Sequence, residues 1–418
     1  MLVTLNAITT KITKGTTPTS VGCTFENSGV NYIKSESLGS SRNINKSKFA
    51  FISEQTHEKL KRSQIEKNDI LFSMAGMFLG KTGIVTADLV PANTNQAVAI
   101  IRIDNEKANH EYVYYYLNLK SVMQAINASS AQSAQPNINL KQIGQLEIDL
   151  PGRKVQDKIV SILSAIDFKI EKNKQINENL EQQAVVLFRS WFSAFSLSPN
   201  SPRVNSEFGE IPEDFTVIKV GSLPILVTDY VSNGSFASLK ANVSLYQEPN
   251  YAYFIRNTDL KSGSFGVFVD QHSYEFLSKS TLYGGEIIIS NVGDVGSVFL
   301  CPKLDAHMTL GNNIIMLRPE DDHLRYYLYI WFKYLQGQAL IQGIKGGSAQ
   351  PKFNKTDFKN TSILIPPKDI LSRFHETVAP MFEMISHRQT ETSRLANLRD
   401  TLLPHLMSGE IDVSKLDI

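Results

Sequence analysis

Residues 134–151 read AQPNINLKQIGQLEIDLP, and residues 349–367 read AQPKFNKTDFKNTSILIPP. Ala134-Gln135-Pro136, Asn139, Ile143, Ile148 and Pro151 recur as Ala349-Gln350-Pro351, Asn354, Phe358, Ile363 and Pro366, each pair at an offset of 349 − 134 = 215. Self-similarity at a fixed distance decides architecture before any local assignment does. Upstream, Asp69-Ile70-Leu71-Phe72-Ser73 matches Glu286-Ile287-Ile288-Ile289-Ser290 at 217, and Tyr32-Ile33-Lys34 matches Phe254-Ile255-Arg256 at 222. Offsets that drift in small steps mark loop insertions in a duplicated unit. The chain is two copies of one unit.

Beyond each quoted stretch lies a long helical pattern. From Val155 to Phe192 there is neither Pro nor Gly, and Ile159, Ile162, Ile166, Ile170, Ile176, Leu180, Ala184, Leu187 and Trp191 form one apolar stripe, with Asn173 in its gap. Leu371, Phe374, Val378, Met381, Ile385, Thr392, Leu395, Leu398 and Leu402 answer in copy two, where Pro380 is expected to kink the helix. Two helices with one stripe each predict an antiparallel coiled-coil pair, with Asn173 as a register device. Ahead of each helix, β-rich runs broken by Gly, Pro and Asn predict strands. The predicted class is α+β, with two globules related by pseudo-two-fold symmetry. The expected boundaries are a globule over 1–150, a helix over 151–195, a Ser/Pro/Asn-rich linker over 196–214, a globule over 215–365 and a helix over 366–418.

Composition narrows the class. The 418 residues carry 42 Lys+Arg against 41 Asp+Glu, so any basic surface is local. Hydrophobic residues at 42% and charged residues at 20% exclude disordered and low-complexity chains. No secretory signal or run of eighteen apolar residues is legible, which predicts a cytoplasmic protein without membrane contact. Cys23 and Cys301 stand apart without CxxC, so no zinc site or disulfide framework is read.

Catalytic constellations are missing. Ala75–Thr82 (AGMFLGKT) fits a loose phosphate-loop pattern, but a strand signal follows where the mechanism needs a helix N-terminus, and the copy-two counterpart lacks the Lys. The better reading is a Gly-rich hairpin turn carrying Lys81 outward. No Asn/Asp-Pro-Pro-aromatic motif for a flipped base occurs, the eight His lack ligand spacing, and Glu320-Asp321-Asp322 reads as a solvated loop. The expectation is a non-catalytic binding protein with no cofactor or metal of its own.

The quoted stretch, Gln156, the segment Leu187-Phe188-Arg189-Ser190-Trp191-Phe192, the Gly209-Glu210-Ile211-Pro212 opening of copy two and the closing Leu402-Leu403-Pro404-His405-Leu406-Met407-Ser408-Gly409-Glu410 together resemble the DNA-specificity subunit of type I restriction-modification enzymes. The likeness covers essentially the whole chain. It implies two target-recognition domains, each reading one half of a bipartite site on double-stranded DNA. It also implies two helices that set the spacer and dock methyltransferase subunits, two of them, with restriction/translocase subunits joining through the complex. Adenine methylation and ATP use belong to those partners. A methylation-only or type IIB-like complex and a protein-only helical adaptor remain alternative readings.

Base reading needs side chains that bond to groove edges or phosphates. The candidates are Lys14, Thr16, Arg42, Lys46, Lys48, Ser73 and Lys81 in copy one, and Arg256, Lys261, Asn291, Lys345 and Ser348 in copy two. Eight basic against four acidic residues over 34–67, and five against Asp357 alone over 333–359, predict two phosphate-facing clusters. On the helices, Ile159, Ile166, Leu180, Trp191, Phe374, Ile385 and Leu402 are the expected partner-binding positions. Gln135 and Gln350 read either as base contacts or as braces between globule and helix.

Overall fold

The computed structural model describes residues 1–39, 41–130, 137–347 and 350–416. It divides into two compact units, one formed by residues 1–171 with 394–418 and the other by residues 172–393. Each holds one globule, a segment of the helix Arg153–Phe192 and a segment of the helix Lys368–Met407.

The first globule is built on a four-stranded antiparallel sheet. Its strands are β1 (Thr9–Lys14), β2 (Ile70–Ser73), β3 (Thr82–Ile84) and β4 (Val98–Ile103), in the spatial order β1-β4-β2-β3. The second globule repeats this with β5 (Ile225–Asp229), β6 (Ile287–Ser290), β7 (Val298–Leu300) and β8 (Ile314–Pro319), ordered β5-β8-β6-β7. A second sheet accompanies each, built around a parallel pair: Val30–Ile33 with Ala92–Thr94, and Ala252–Ile255 with His307–Leu310. The fold is α+β and its topology occurs twice.

Both faces of the four-stranded sheets are covered, which is why ILFS and IIIS read as continuous apolar runs rather than alternating ones. Ile70 and Phe72 enter one core cluster while Leu71 enters another. In copy two Ile287 and Ile289 point to one cluster and Ile288 to another.

From Asn139 and Asn354 onward the two repeated stretches fold alike. Asn139 caps the short helix Leu140–Gly144 through a capping box with Gln142, and Asn354 caps Lys355–Lys359 by accepting from the Asp357 amide at 2.8 Å. A short strand follows, Glu147–Asp149 or Ser362–Ile365, pairing with Leu2–Thr4 or Thr216–Lys219. The 40-residue helices come next, each about 60 Å long at ~1.5 Å per residue.

Within each unit the helix segments run antiparallel. In the first, Lys158 donates to the Ser414 and Leu416 carbonyls while Asp167 pairs with Arg399 at 2.8 Å. In the second, fully buried Asn173 donates to Glu391 at 2.8 Å and accepts from Arg388 at 3.1 Å, while Phe188 and Phe192 meet Phe374. Asn173 thus satisfies its amide across the pair, as a register residue must.

Two details go beyond what the sequence predicts. Helical backbone runs continuously through Pro380, which lies at an exposed position. The 196–214 stretch is more than a coil, for Arg203–Ser206 and Gly209–Pro212 form a hairpin. Ile211 is buried, and Phe208 packs edge-on against Trp331 at 5.5 Å. The Ser, Pro and Asn residues there signalled the turns and masked the two apolar anchors.

Candidate nucleic-acid interface

Antiparallel register brings particular loops together. β1 ends with Lys14 beside Ala99, β2 ends with Ser73 beside Val98, and Phe72 lies beside Thr82 at the start of β3. One end of the sheet therefore collects residues 14–17, the loop 74–81 and residues 95–97. Backbone bonds lock them: Gly15 N donates to Val98 O at 3.2 Å, Thr16 N to Thr94 O at 3.0 Å and Met74 N to Ala97 O at 2.8 Å. Ile138 N donates to Met74 O at 2.9 Å, which brings Ile138 to the same end. The buried Tyr32 hydroxyl, pushed up to about 12 by desolvation, donates to Thr16 O at 3.0 Å.

Copy two builds the same end. Asp229 lies beside Ile315, Ser290 beside Ile314 and Ile289 beside Val298. Asn291 N donates to Asn313 O at 3.1 Å, Phe353 N to Asn291 O at 3.0 Å and Gly293 N to Pro351 O at 2.9 Å. Gly346 and Lys352 exchange two backbone bonds of 2.9 Å, bringing Lys345 along. Gly311 N donates to Ile255 O at 2.8 Å, which places Arg256 there, and Lys261 pairs with Asp294 at 2.6 Å.

The end of each sheet thus gathers Lys14, Thr16 and Lys81, or Arg256, Lys261, Asn291 and Lys345. Ser348 lies outside the described residues. Lys14, Lys48, Lys81 and Lys345 are exposed, and among the described residues no carboxylate lies within ion-pair distance of them. Others are engaged. Lys46 bonds to Asp88 at 2.5 Å and holds that carboxyl down to about 2. Arg256 forks onto Asp259 at 2.9 and 2.7 Å.

One candidate leaves the set. Ser73 is fully buried in β2, out of reach of any duplex. Arg42, engaged like Lys46 and Arg256, sits beside the outer edge of β3, its carbonyl accepting from Ile84 N at 2.9 Å, and grips Glu111 with bonds of 3.2 and 2.8 Å. The basic clusters also shrink, because Lys333 is taken by Glu181 at 2.5 Å and Lys355 by Asp229 at 3.1 Å. Charge counting along the chain cannot see partners distant in sequence.

The helix positions are mostly inward. Ile159 and Phe374 are buried, while Ile166, Leu180, Trp191, Ile385 and Leu402 are half-buried. Pairing and globule packing consume much of this stripe. The apolar side chains that the helices expose are Phe168 and Leu398 in the first unit and Val186 and Met384 in the second.

Sequence reasoning missed a duplicated brace. Arg102 forks onto fully buried Asp69 with two bonds of 2.8 Å, and Arg318 bonds to buried Glu286 at 3.2 and 3.0 Å. Both pairs recur at offsets of 216 and 217, a signal that was available. Tyr112 donates to Asp149 O at 2.7 Å, and Tyr327 likewise to Leu364 O. Gln156 is buried at the helix start, accepting from Asn109 N and donating to Pro151 O, both at 2.8 Å. Among the described residues, no three potential metal ligands come together.

The family model described as type I restriction modification DNA specificity domain matches residues 2–182 and 227–387. The chain is 29% identical over 345 residues to the type I restriction enzyme MjaIX specificity subunit of Methanocaldococcus jannaschii, covering 80% of this chain and 76% of that protein. It is 24% identical over 411 residues to the HindI specificity subunit of Haemophilus influenzae, covering 84% and 88%. Among solved structures, the type I restriction-modification S subunit from M. genitalium shares the fold, with a TM-score of 0.52 and 17% identity over 97% of this chain and 95% of that one.

Proposed function

The chain belongs to the type I restriction-modification DNA-specificity family, and we infer from that premise that the loop-bearing end of each four-stranded sheet reads one half of a two-part site on double-stranded DNA. The observation that carries this is the repetition itself. Two copies of one topology deliver exposed, hydrogen-bonding and cationic side chains to the same sheet end, on loops fixed by backbone bonds.

Lys14, Lys48, Lys81 and Lys345 supply phosphate contacts, and Thr16, Arg256 and Lys261 read base edges, while Asn291 braces its loop, its amide donating to Phe353 O at 3.3 Å and its Oδ1 buried. Lys46 joins them by exchanging Asp88 for phosphate. The subunit has no catalytic role of its own. It acts in the cytoplasm with methyltransferase subunits, two per chain, which supply adenine methylation and dock on the exposed helix faces around Phe168, Val186, Met384 and Leu398. Restriction subunits join through that complex. Two weak readers joined covalently gain affinity through effective concentration.

The test is the salt dependence of DNA binding by the subunit–methyltransferase complex. The Lys14→Ala/Lys81→Ala double variant is expected to bind all sequences more weakly, its slope of log K against log salt shallower by roughly 1.8 for two lost phosphate contacts. An unchanged slope would refute the assigned face.

A further inference from the structure

Among the described residues, the two most exposed large apolar side chains in the chain are Met77, at 88%, and Phe236, at 84%. Single exposed apolar residues are ordinary on a protein surface. Their placement here is not. Met77 is the tip of the 74–81 loop, at the sheet end that carries Lys14 and Lys81. Phe236 follows the segment 230–235 that leaves β5 at Asp229, the corresponding end in copy two, and Val231 on that segment is also exposed.

Both tips are held stiffly. In the first, Gly80 N donates to Ser73 O at 2.9 Å and Leu79 N to Gly76 O at 3.0 Å, while Leu79 packs on the core. Gly80 has φ +79°, a left-handed backbone conformation that L side chains rarely adopt, so glycine favours this turn. In the second, Asp229 accepts from the Ser232 amide at 3.0 Å and is held by Lys355, and Asn233 donates to Ser280 at 2.8 Å. Ser235 caps the helix that Phe236 begins, accepting from the Ser238 amide at 3.2 Å. A rigid loop that presents an apolar side chain beside cations matches the chemistry of a wedge pressed between stacked bases, with phosphates flanking it.

We propose that Met77 and Phe236 are specificity-determining wedges, each inserting at a base step within the half-site read by its own globule and partly unstacking it. This rests on the DNA-facing assignment of the sheet ends made above. Steps that unstack easily are then favoured at positions where no hydrogen bond reads the base.

The experiment uses the subunit–methyltransferase complex and duplexes carrying 2-aminopurine at successive non-target positions of each mapped half-site. The wild-type complex is expected to raise fluorescence at one step in each half-site. Met77→Ser abolishes the rise in one half-site only and weakens cognate binding about tenfold, while Phe236→Ser does the same in the other, and Met77→Leu keeps the signal. Both side chains are too exposed for their loss to threaten folding. Full fluorescence in both Ser variants overturns the wedge, as does a loss spread over both half-sites. If the Lys14→Ala/Lys81→Ala variant shows its shallower slope while the Ser variants change nothing, the wedge alone is wrong. If the lysine slope is unchanged, the face itself is wrong.

Discussion

Four residues inserted into each long helix, between positions 171 and 172 and between 393 and 394, are expected to lengthen the spacer of the recognised site by about two base pairs, since four residues add about 6 Å of helix and a base pair about 3.4 Å. The half-site sequences should not change. Both insertions fall at the boundary between the two compact units, so the pairing of Asp167 with Arg399 in one and of Asn173 with Arg388 in the other is left as it is. Mapping methylated adenines with the lengthened subunit reads the spacer directly. An unaltered gap would show that something other than helix length sets it.

The second large effect is on stability. Phe374 is fully buried, with its ring 4.9 Å from Phe192, 5.7 Å from Trp191 and 6.0 Å from Phe188. Removing it leaves a cavity where helix segments and globule core meet in the second unit, at a cost of about 3–5 kcal/mol. For a unit of this size that lowers its melting temperature on the order of 10 °C. The control is Met384→Ala, at an exposed position on the same helix, expected to move the melting temperature by no more than a degree or two. If Phe374→Ala melted normally yet no longer bound the methyltransferase subunit, the residue would be a docking position, as the stripe alone suggested.

The duplication was legible in the sequence because packing constrains it twice over. The capping Asn139 and Asn354, the core residues Ile148 and Ile363 and the buried Ser73 and Ser290 each keep one structural job in both copies. The first helix followed from periodicity, whereas the second, expected over 366–418, ends at Met407, and Asn173 was identifiable because a polar residue in an apolar stripe needs a partner. The interface was legible only in part. Lys14 and Lys81 stood out as cations beside turn residues, but whether a given Arg or Lys is free depends on a carboxylate far away in sequence, Glu111 for Arg42 and Glu181 for Lys333. Ser73 looked polar and available, yet its strand is covered on both faces. Met77 and Phe236 drew no notice, since an isolated apolar residue in a loop carries no periodic signal, and only the folded register shows them at equivalent ends.

The central claim is that two copies of one reader specify one interrupted DNA site. Its most direct test is a genome-wide map of methylated adenines in cells that keep the partner methyltransferase, with and without this chain. The expected result is a two-part motif with a gap of fixed length, present only with the chain and altered in a single half when one globule is exchanged for that of a relative. A methylation pattern that does not depend on the chain, or a single uninterrupted motif, would contradict it.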